Sequence, residues 1–376
     1  MKKRKILLVG GGTGGHVVPI WEIYKKLTTA SNKYEVIVVG AGTGIERHFF
    51  SSAKKYYVVR SGKFRRHLTW RNLWELILFG FGLVWAAYLF FRERPSVVFS
   101  KGGYASMPII ILARIAKIPY FIHESDTEIG LTNRFAQSGA RKIFVGFPPQ
   151  YYRNIAQDRL IFSGPIVRES IGESRQVERE TFGFGNKKPV ILITGGSQGS
   201  LHINKNLVKI LPEILPDYNI IHQTGESSFD WVKSYRATLP APFHGSYFVA
   251  DFLETEGGRD RMLEAIDLAD LVIARAGANT ISELAVMRKP MILIPWKHAA
   301  ADHQLKNAQI LTEAGAAIVI PDDDLSPRSL KEAIERSFAD NQRELGEMSA
   351  NAAKVFPSDG LEVVCKEIIK IVGEGK

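Results

Sequence analysis

The chain has 376 residues, 45% of them hydrophobic, which is more than one core usually needs, so two domains are the default reading. Its one cysteine, Cys365, excludes an internal disulfide and fits a reducing compartment. The net charge of +10 is lopsided: residues 1–163 hold 25 Lys+Arg against 9 Asp+Glu, and residues 164–376 hold 24 against 30, so the first half faces something anionic, a membrane surface or a nucleic acid.

The start, Met1–Lys5, is basic, but the apolar run Ile6–Val9 is too short for a signal-peptide core, and a cytoplasmic protein is expected. Lys5–Val9 reads as a strand, Gly10–Gly15 as a loop and Pro19–Leu27 as a helix. Further strands are expected at Glu35–Val39, Val97–Phe99, Tyr120–His123 and Lys142–Val145. Between them lies Leu76–Phe91, 16 residues without a charge, short of the ~18–20 that span a bilayer. Lys63, Arg65, Arg66 and Arg71 precede it, Arg92 and Arg94 follow it, and aromatic residues recur along it. This pattern predicts a helix that lies in a membrane interface while part of it serves the core. Trp74, Leu78, Phe79, Phe81 and Trp85, with Arg65 and Arg66, are its candidate membrane-binding residues. A nucleic-acid binder would leave such an apolar helix in the basic half unexplained, so no nucleic-acid partner is expected.

Gly164–Asn186 is polar with weak periodicity and reads as a linker. The pattern then restarts: strand Pro189–Thr194, loop Gly195–Gly199, helix Leu201–Leu211, and strands at Ile220–His222, Leu271–Ala274, Met291–Ile294 and Ala317–Ile320. Strand, glycine loop and helix thus occur twice, about half a chain apart, as two α/β domains with parallel sheets would produce. Ser326-Pro327 has the form of an N-cap followed by proline at the first helical position, and Leu361–Val372 is an amphipathic helix.

Gly10-Gly-Gly-Thr-Gly-Gly15 matches G-x-G-x-x-G, whose glycines let backbone N–H groups and a helix N-terminus approach an anion. The second expected strand ends in Gly40-Ala-Gly42 rather than an acid, and the nearest acid, Glu46, lies further into the loop, which counts against a dinucleotide. Gly195-Gly-Ser-Gln-Gly199 suits a diphosphate, and the missing Walker lysine counts against a P-loop nucleotidase. After the strand Leu271–Ala274 comes Arg275-Ala-Gly-Ala-Asn-Thr-Ile-Ser-Glu283, another close helix start. The Glu283 carboxylate there is either a capping group or an acceptor for a ribose diol.

In order along the chain stand Gly10-Gly-Gly-Thr-Gly-Gly-His16 with Pro19, Gly102-Gly-Tyr104, His123-Glu124, Gly130-Leu-Thr-Asn133, Gly195–Gly199, and Arg275-Ala-Gly-Ala with Ser282-Glu283. Together, over nearly the whole chain, they resemble the undecaprenyldiphospho-muramoylpentapeptide N-acetylglucosaminyltransferases, which convert lipid I to lipid II. The resemblance implies a GT-B fold, with two Rossmann-like domains facing a cleft and a last helix crossing back to the first domain. The corresponding boundaries are 1–163, a linker at 164–186, 187–355, and 356–376 for the returning helix.

It further implies inverting transfer of N-acetylglucosamine from UDP-N-acetylglucosamine to lipid I, with a β-1,4 bond and no cofactor or tightly bound metal. The place of work would be the cytoplasmic side of an anionic membrane, beside other cell-wall synthesis proteins. By motif, Thr13, Gly14 and Gly15 face the donor from the first domain, and Ser197 and Gln198 hold the diphosphate. Arg168 matches an arginine after a Gly-x-Pro turn, and Leu253 a residue whose backbone reads uracil. Ala278, Asn279, Thr280, Ile281, Ser282 and Glu283 contact nucleoside and phosphates, and Gln304 with His303 the sugar. Tyr104 shapes the acceptor pocket. His16 is the first choice as catalytic base, because histidine titrates in the useful range. Glu124 and Asp126, beside His123, form the second cluster, and Asp126 also counts as a substrate contact. The sequence departs from the family pattern at Gly164–Arg168, which carries one extra residue, at Glu254–Arg259, which reads as an insertion, and at Trp296–Asp302.

Overall fold

The structure is a computed structural model that describes residues 3–31, 33–62, 70–153, 155–172, 175–196, 198–253, 255–256, 259–299 and 302–374. The chain divides into two compact units, residues 1–169 with 357–376, and residues 170–356.

The first unit is built on a parallel sheet of β1 (Arg4–Gly10), β2 (Tyr34–Gly40), β3 (Tyr56–Val58), β4 (Val97–Gly102), β5 (Tyr120–Glu124), β6 (Lys142–Val145) and β7 (Leu160–Phe162). The strand order is β3-β2-β1-β4-β5-β6-β7. The central strands are continuous apolar runs because helices cover both faces: Ile6–Val9 and Val97–Phe99 are all 0% exposed. The helices are α1 (Gly14–Ala30), α2 (Gly44–Phe50), α3 (Trp70–Glu93), α4 (Ser106–Ile115) and α5 (Leu131–Ala136). From β1 the chain turns to β2 on one side, and β4 lies on the other. The crevice at the carboxyl ends of β1 and β4 is therefore the switch point where open sheets bind ligands.

The second unit repeats the plan with β8 (Val190–Thr194), β9 (Asn219–Gln223), β10 (Tyr247–Ala250), the hairpin β11 (Thr255–Glu256) and β12 (Arg259–Asp260), β13 (Leu271–Ala274), β14 (Met291–Leu293) and β15 (Ala317–Val319). The order of its main sheet is β10-β9-β8-β13-β14-β15, all parallel, with the switch point between β8 and β13. Its helices are α6 (Leu201–Ile214), α7 (Glu226–Thr238), α8 (Arg261–Leu268), α9 (Ala278–Val286), α10 (His303–Glu313) and α11 (Pro327–Val355). Ser326 caps α11 in a capping box, and the helix breaks at Ala339–Gln342, where three consecutive residues have positive φ.

The last helix, α12 (Gly360–Glu374), belongs to the first unit. Leu361, Val364, Cys365, Ile368 and Val372 on one of its faces join the core formed by β1, β2, β4 and α1, and the Arg4 side chain bonds the Val372 carbonyl.

Three details differ from the sequence reading. First, α1 begins at Gly14, so Pro19 sits inside the helix rather than at its start. Second, the segment 164–186 carries 3₁₀ turns at Glu169–Gly172 and Arg179–Phe182. Its Phe182 and Phe184 are buried, and the Arg261 guanidinium stacks 4.7 Å over the Phe182 ring. The boundary between units falls after Glu169, so the second part of that segment packs as domain rather than hanging as linker. Third, the apparent insertion after Leu253 is the small β11–β12 hairpin.

Candidate active site

In the first unit, the loops after β1, β4 and β5 meet. Gly102 and Gly103 have φ of +95° and +84°, and a Cβ on Gly103 would lie 2.6 Å from the Gly11 carbonyl, so only glycine permits this approach. The contact brings Gly103 beside His16, whose Nδ1 is 3.1 Å from the Thr13 hydroxyl. Burial, then the Lys101 charge, pushes the His16 imidazole down to about 4 against an opposing pull from Asp126. His16 is thus neutral at physiological pH. In the tautomer whose Nδ1–H donates to Thr13, Nε2 is the proton acceptor.

Glu124 lies buried at the end of β5. Its Oε2 accepts from the Gly130 N–H at 2.9 Å and the Asn133 amide at 3.0 Å, and its Oε1 from the Asp126 N–H at 3.2 Å. Burial and the Asp126 charge raise its pKa, against Lys101 and these donors. With both oxygens committed to the loop before α5, Glu124 has the form of a positioning carboxylate. Asp126, half-buried, is the carboxylate on the rim of the group. His123 is fully buried, bonds the Gly164 carbonyl at 3.3 Å through Nε2, and is held neutral by burial and Lys101. The Tyr104 ring lies against Gly12, where a Cβ would come within 2.9 Å of it and φ is +100°.

The sequence reading gives two residues in this cluster no role in the site. Lys101, 3% exposed, bonds the Ser125 hydroxyl, and burial pulls its ammonium down to about 8 while Glu124 and Asp126 hold it up. Glu46, on α2, bonds backbone N–H groups of both neighbouring glycine loops. A lysine inside a buried strand and an acid just past Gly-x-Gly were the available signals.

In the second unit, the loops after β8 and β9 pack backbone to backbone. A Cβ on Gly199 would lie 1.9 Å from the Thr224 carbonyl, and one on Gly225 2.3 Å from the Gln198 carbonyl, with φ of +72° and +77°. Gly199→Ala is expected to lower the melting temperature, measured by calorimetry, because strain of about 1–3 kcal/mol adds to the clash. Ser200 caps α6 by accepting from the Ile203 N–H. Gln198 is exposed on the loop, and Ser197 lies outside the described residues.

Gln223, absent from the sequence reading, ties three segments together. Its amide donates to the Thr194 hydroxyl and the Gly196 carbonyl, both at 3.1 Å, and its Oε1 accepts from the Leu253 N–H at 3.0 Å. A base edge at Leu253 would therefore be read through the Leu253 carbonyl or by displacing Gln223. Arg275 is a brace: its guanidinium bonds Asp322 at 2.6 Å, the Ser200 hydroxyl at 2.8 Å and the Ile294 carbonyl at 3.0 Å.

At the start of α9, Ala278, Asn279 and Thr280 occupy the first turn, while the Ile281 and Ser282 side chains are buried and Glu283 is 9% exposed. Ile281 packs its side chain inside the fold, so the ligand contact expected there would be made by its backbone. Gln304, at the start of α10 beside His303, accepts from the Trp296 N–H at 2.9 Å through Oε1, which leaves its NH2 as the donor for a ligand. The N-terminal ends of α6, α9 and α10 thus all follow strands at the carboxyl end of the sheet, where helix starts favour an anion. Arg168, by contrast, is a half-buried residue of the first unit.

The comparisons agree with this division. Residues 6–145 match the Glycosyltransferase family 28 N-terminal domain and residues 190–362 the Glycosyltransferase family 28 C-terminal domain. A relative from Clostridium kluyveri is 35% identical over 93% of this chain and 96% of its own, and one from Geobacillus kaustophilus 35% over 96% and 97%. Both are UDP-N-acetylglucosamine–N-acetylmuramyl-(pentapeptide) pyrophosphoryl-undecaprenol N-acetylglucosamine transferases. The crystal structure of Acinetobacter baumannii MurG superimposes with a TM-score of 0.74 at 26% identity, covering 98% of this chain and all of that one. The chain, with two Rossmann-like domains of the GT-B class, belongs to glycosyltransferase family 28 and, within it, to the family of these N-acetylglucosamine transferases.

Proposed function

We propose that this enzyme transfers N-acetylglucosamine from UDP-N-acetylglucosamine to lipid I, the undecaprenyl-diphospho-muramoyl-pentapeptide, forming lipid II for peptidoglycan. The observation that carries the reading is the asymmetry between the two switch points. In the second unit the N-termini of α6, α9 and α10 supply a positive cradle for a diphosphate, with Gln304 at its edge. In the first unit the equivalent place holds a neutral histidine, a tyrosine and carboxylates, which is acid–base rather than nucleotide-binding chemistry. UDP-sugar binds the second unit and the acceptor the first.

His16 Nε2 takes the proton of the acceptor 4-hydroxyl as that oxygen attacks the anomeric carbon from the face opposite UDP, which inverts it. UDP departs onto backbone N–H groups and helix N-termini. Asp126 and Tyr104 line the acceptor side. Because the leaving diphosphate meets fixed dipoles, no tightly bound metal is needed, and turnover after chelation with EDTA is expected to stay within about twofold of the untreated enzyme. The assignment is tested by digesting the product formed on a lipid I analogue: a β-1,4-linked disaccharide supports it. Transfer only to a different lipid, or UDP-sugar binding without turnover, would replace it with another lipid glycosyltransferase or a membrane scaffold.

The acceptor is membrane-bound, and α3 suits a peripheral seat on the cytoplasmic face. Gly82, Ala86, Leu89 and Glu93 point into the first unit, whereas Trp74, Ile77, Phe81, Val84, Trp85, Tyr88 and Phe91 are exposed along the other side. Leu78 and Phe79 are half-buried between the two faces, and Arg65 and Arg66 lie outside the described residues. A helix that gives one face to its own core lies on a bilayer rather than crossing it. Its end is anchored: burial raises the Glu93 carboxyl, but Lys5 at 2.5 Å, Tyr57 at 2.7 Å and Lys55 at 3.0 Å outweigh this and hold it at about 2. Exposed Arg47 and Arg60, with Tyr56, Phe81 and Trp85, line a cavity of ~360 Å3 suited to an anionic headgroup beside the apolar face. Other cell-wall synthesis proteins at that membrane face are the enzyme's expected neighbours.

A further inference from the structure

Glu46 is fully buried, yet none of its partners among the described residues is a cation. A buried carboxylate without a counter-charge persists only if hydrogen bonds replace its water. Here four do. Oε1 accepts from the Gly12 N–H at 2.8 Å and the Thr43 hydroxyl at 3.0 Å. Oε2 accepts from the Gly42 N–H at 2.7 Å and the Tyr56 hydroxyl at 3.0 Å. The two N–H groups come from the loops after adjacent strands β1 and β2.

The surrounding glycines are shaped to this carboxylate. A Cβ on Gly11 would lie 2.6 Å from Oε1 and one on Gly40 2.2 Å from Oε2, while Gly12 and Gly42 turn their N–H groups inward through φ of +100° and +83°. Burial, then Glu46, raises the pKa of both Tyr56 and Tyr104, which keeps both phenols protonated. Converging backbone N–H groups at the carboxyl end of a switch-point sheet are the device that holds a diphosphate in nucleotide-binding folds. In this unit a residue of the chain already fills it.

We propose that Glu46 is a positioning residue, a built-in carboxylate that fixes the first glycine loop so that His16, held by Thr13, meets the acceptor. The proposal rests on the transferase reading for its kinetic consequence. In Glu46→Gln the amide nitrogen must face one of the donors, and Glu46→Ala empties the socket.

The test uses the full-length enzyme with UDP-N-acetylglucosamine, a lipid I analogue and sodium formate as the small carboxylate. Displacing a reacting group by about 1 Å costs roughly 100-fold, so kcat is expected to fall by about that factor in both variants while calorimetric UDP affinity is unchanged. Formate is expected to restore about tenfold of kcat to Glu46→Ala and nothing to Glu46→Gln, whose socket is sterically full. If kcat stays within about threefold of wild type in both, or if folded Glu46→Ala gains nothing from formate, the proposal is wrong.

Should Glu46→Ala fail to fold, the isosteric Glu46→Gln and wild-type amide NMR decide. Gly12 and Gly42 protons are expected far downfield in wild type and shifted upfield in Glu46→Gln; ordinary wild-type shifts would remove the socket. That readout needs no turnover. A downfield pair in a protein that transfers nothing to lipid would refute the transferase reading and leave the socket standing.

Discussion

His16→Gln lowers kcat by about 10²–10⁴-fold, the usual worth of a general base, and leaves UDP affinity within about twofold. Glutamine keeps a side-chain hydrogen bond within reach of Thr13 but cannot take a proton at neutral pH. The pH dependence is the sharper part of this expectation. Since burial and Lys101 hold the imidazole at about 4, it stays neutral, and able to accept a proton, until the pH falls toward 4. The acid limb of kcat/KM in the free enzyme therefore lies well below the ordinary histidine value of 6.5. The same shift has a stability consequence: between pH 6.5 and 4 the unfolded chain takes up this proton and the folded chain does not, so His16 destabilises the fold across that window. Full activity in His16→Gln, or a wild-type acid limb near 6.5 that the variant loses, would remove His16 or its neutral state from the mechanism.

The second large effect is at the membrane. Phe81→Ser with Trp85→Ser is expected to lower partitioning onto anionic vesicles by roughly 100-fold, measured by co-sedimentation. Complete burial of such side chains is worth about 1.5–3 kcal/mol each; Phe81 is 69% exposed and Trp85 42%, so the lower figure applies, about 3 kcal/mol for the pair. Neither side chain holds the core together, so the melting temperature and turnover on a short-chain, water-soluble acceptor should persist. Charge reversal at Arg47 and Arg60 acts differently: each is worth about 1 kcal/mol at the surface, and its effect fades with salt. Unchanged partitioning in the double serine variant would mean that the exposed face of α3 is not the membrane surface.

How much the sequence reveals depends on which force fixes each element. Ile6–Val9 and Leu271–Ala274 are buried on both faces, and such strands are unbroken apolar runs that are visible without a structure. Tyr56–Val58, Leu160–Phe162 and Tyr247–Ala250 escaped, because they are short edge strands, mostly only partly buried, whose place comes from the neighbour they pair with. The same division runs through the site. Glycine loops are legible because positive φ and close backbone approach demand glycine locally. Glu46, Lys101 and Gln223 are not, because their partners lie far away in sequence: Glu46 reaches back 34 residues to Gly12, and Gln223 forward 30 to Leu253. Glu124 was legible as a conspicuous acid beside a histidine, but only its bonds to Gly130 and Asn133 reveal that it holds a loop.

The most direct test of the account is UDP release from UDP-N-acetylglucosamine with and without a lipid I analogue, with the sugar followed into the lipid. Release that depends on the lipid and matches the formation of a β-linked product, lost in His16→Gln, is the predicted result. Tight donor binding with no lipid-dependent release, or release with the sugar recovered in water rather than on the lipid, would contradict it.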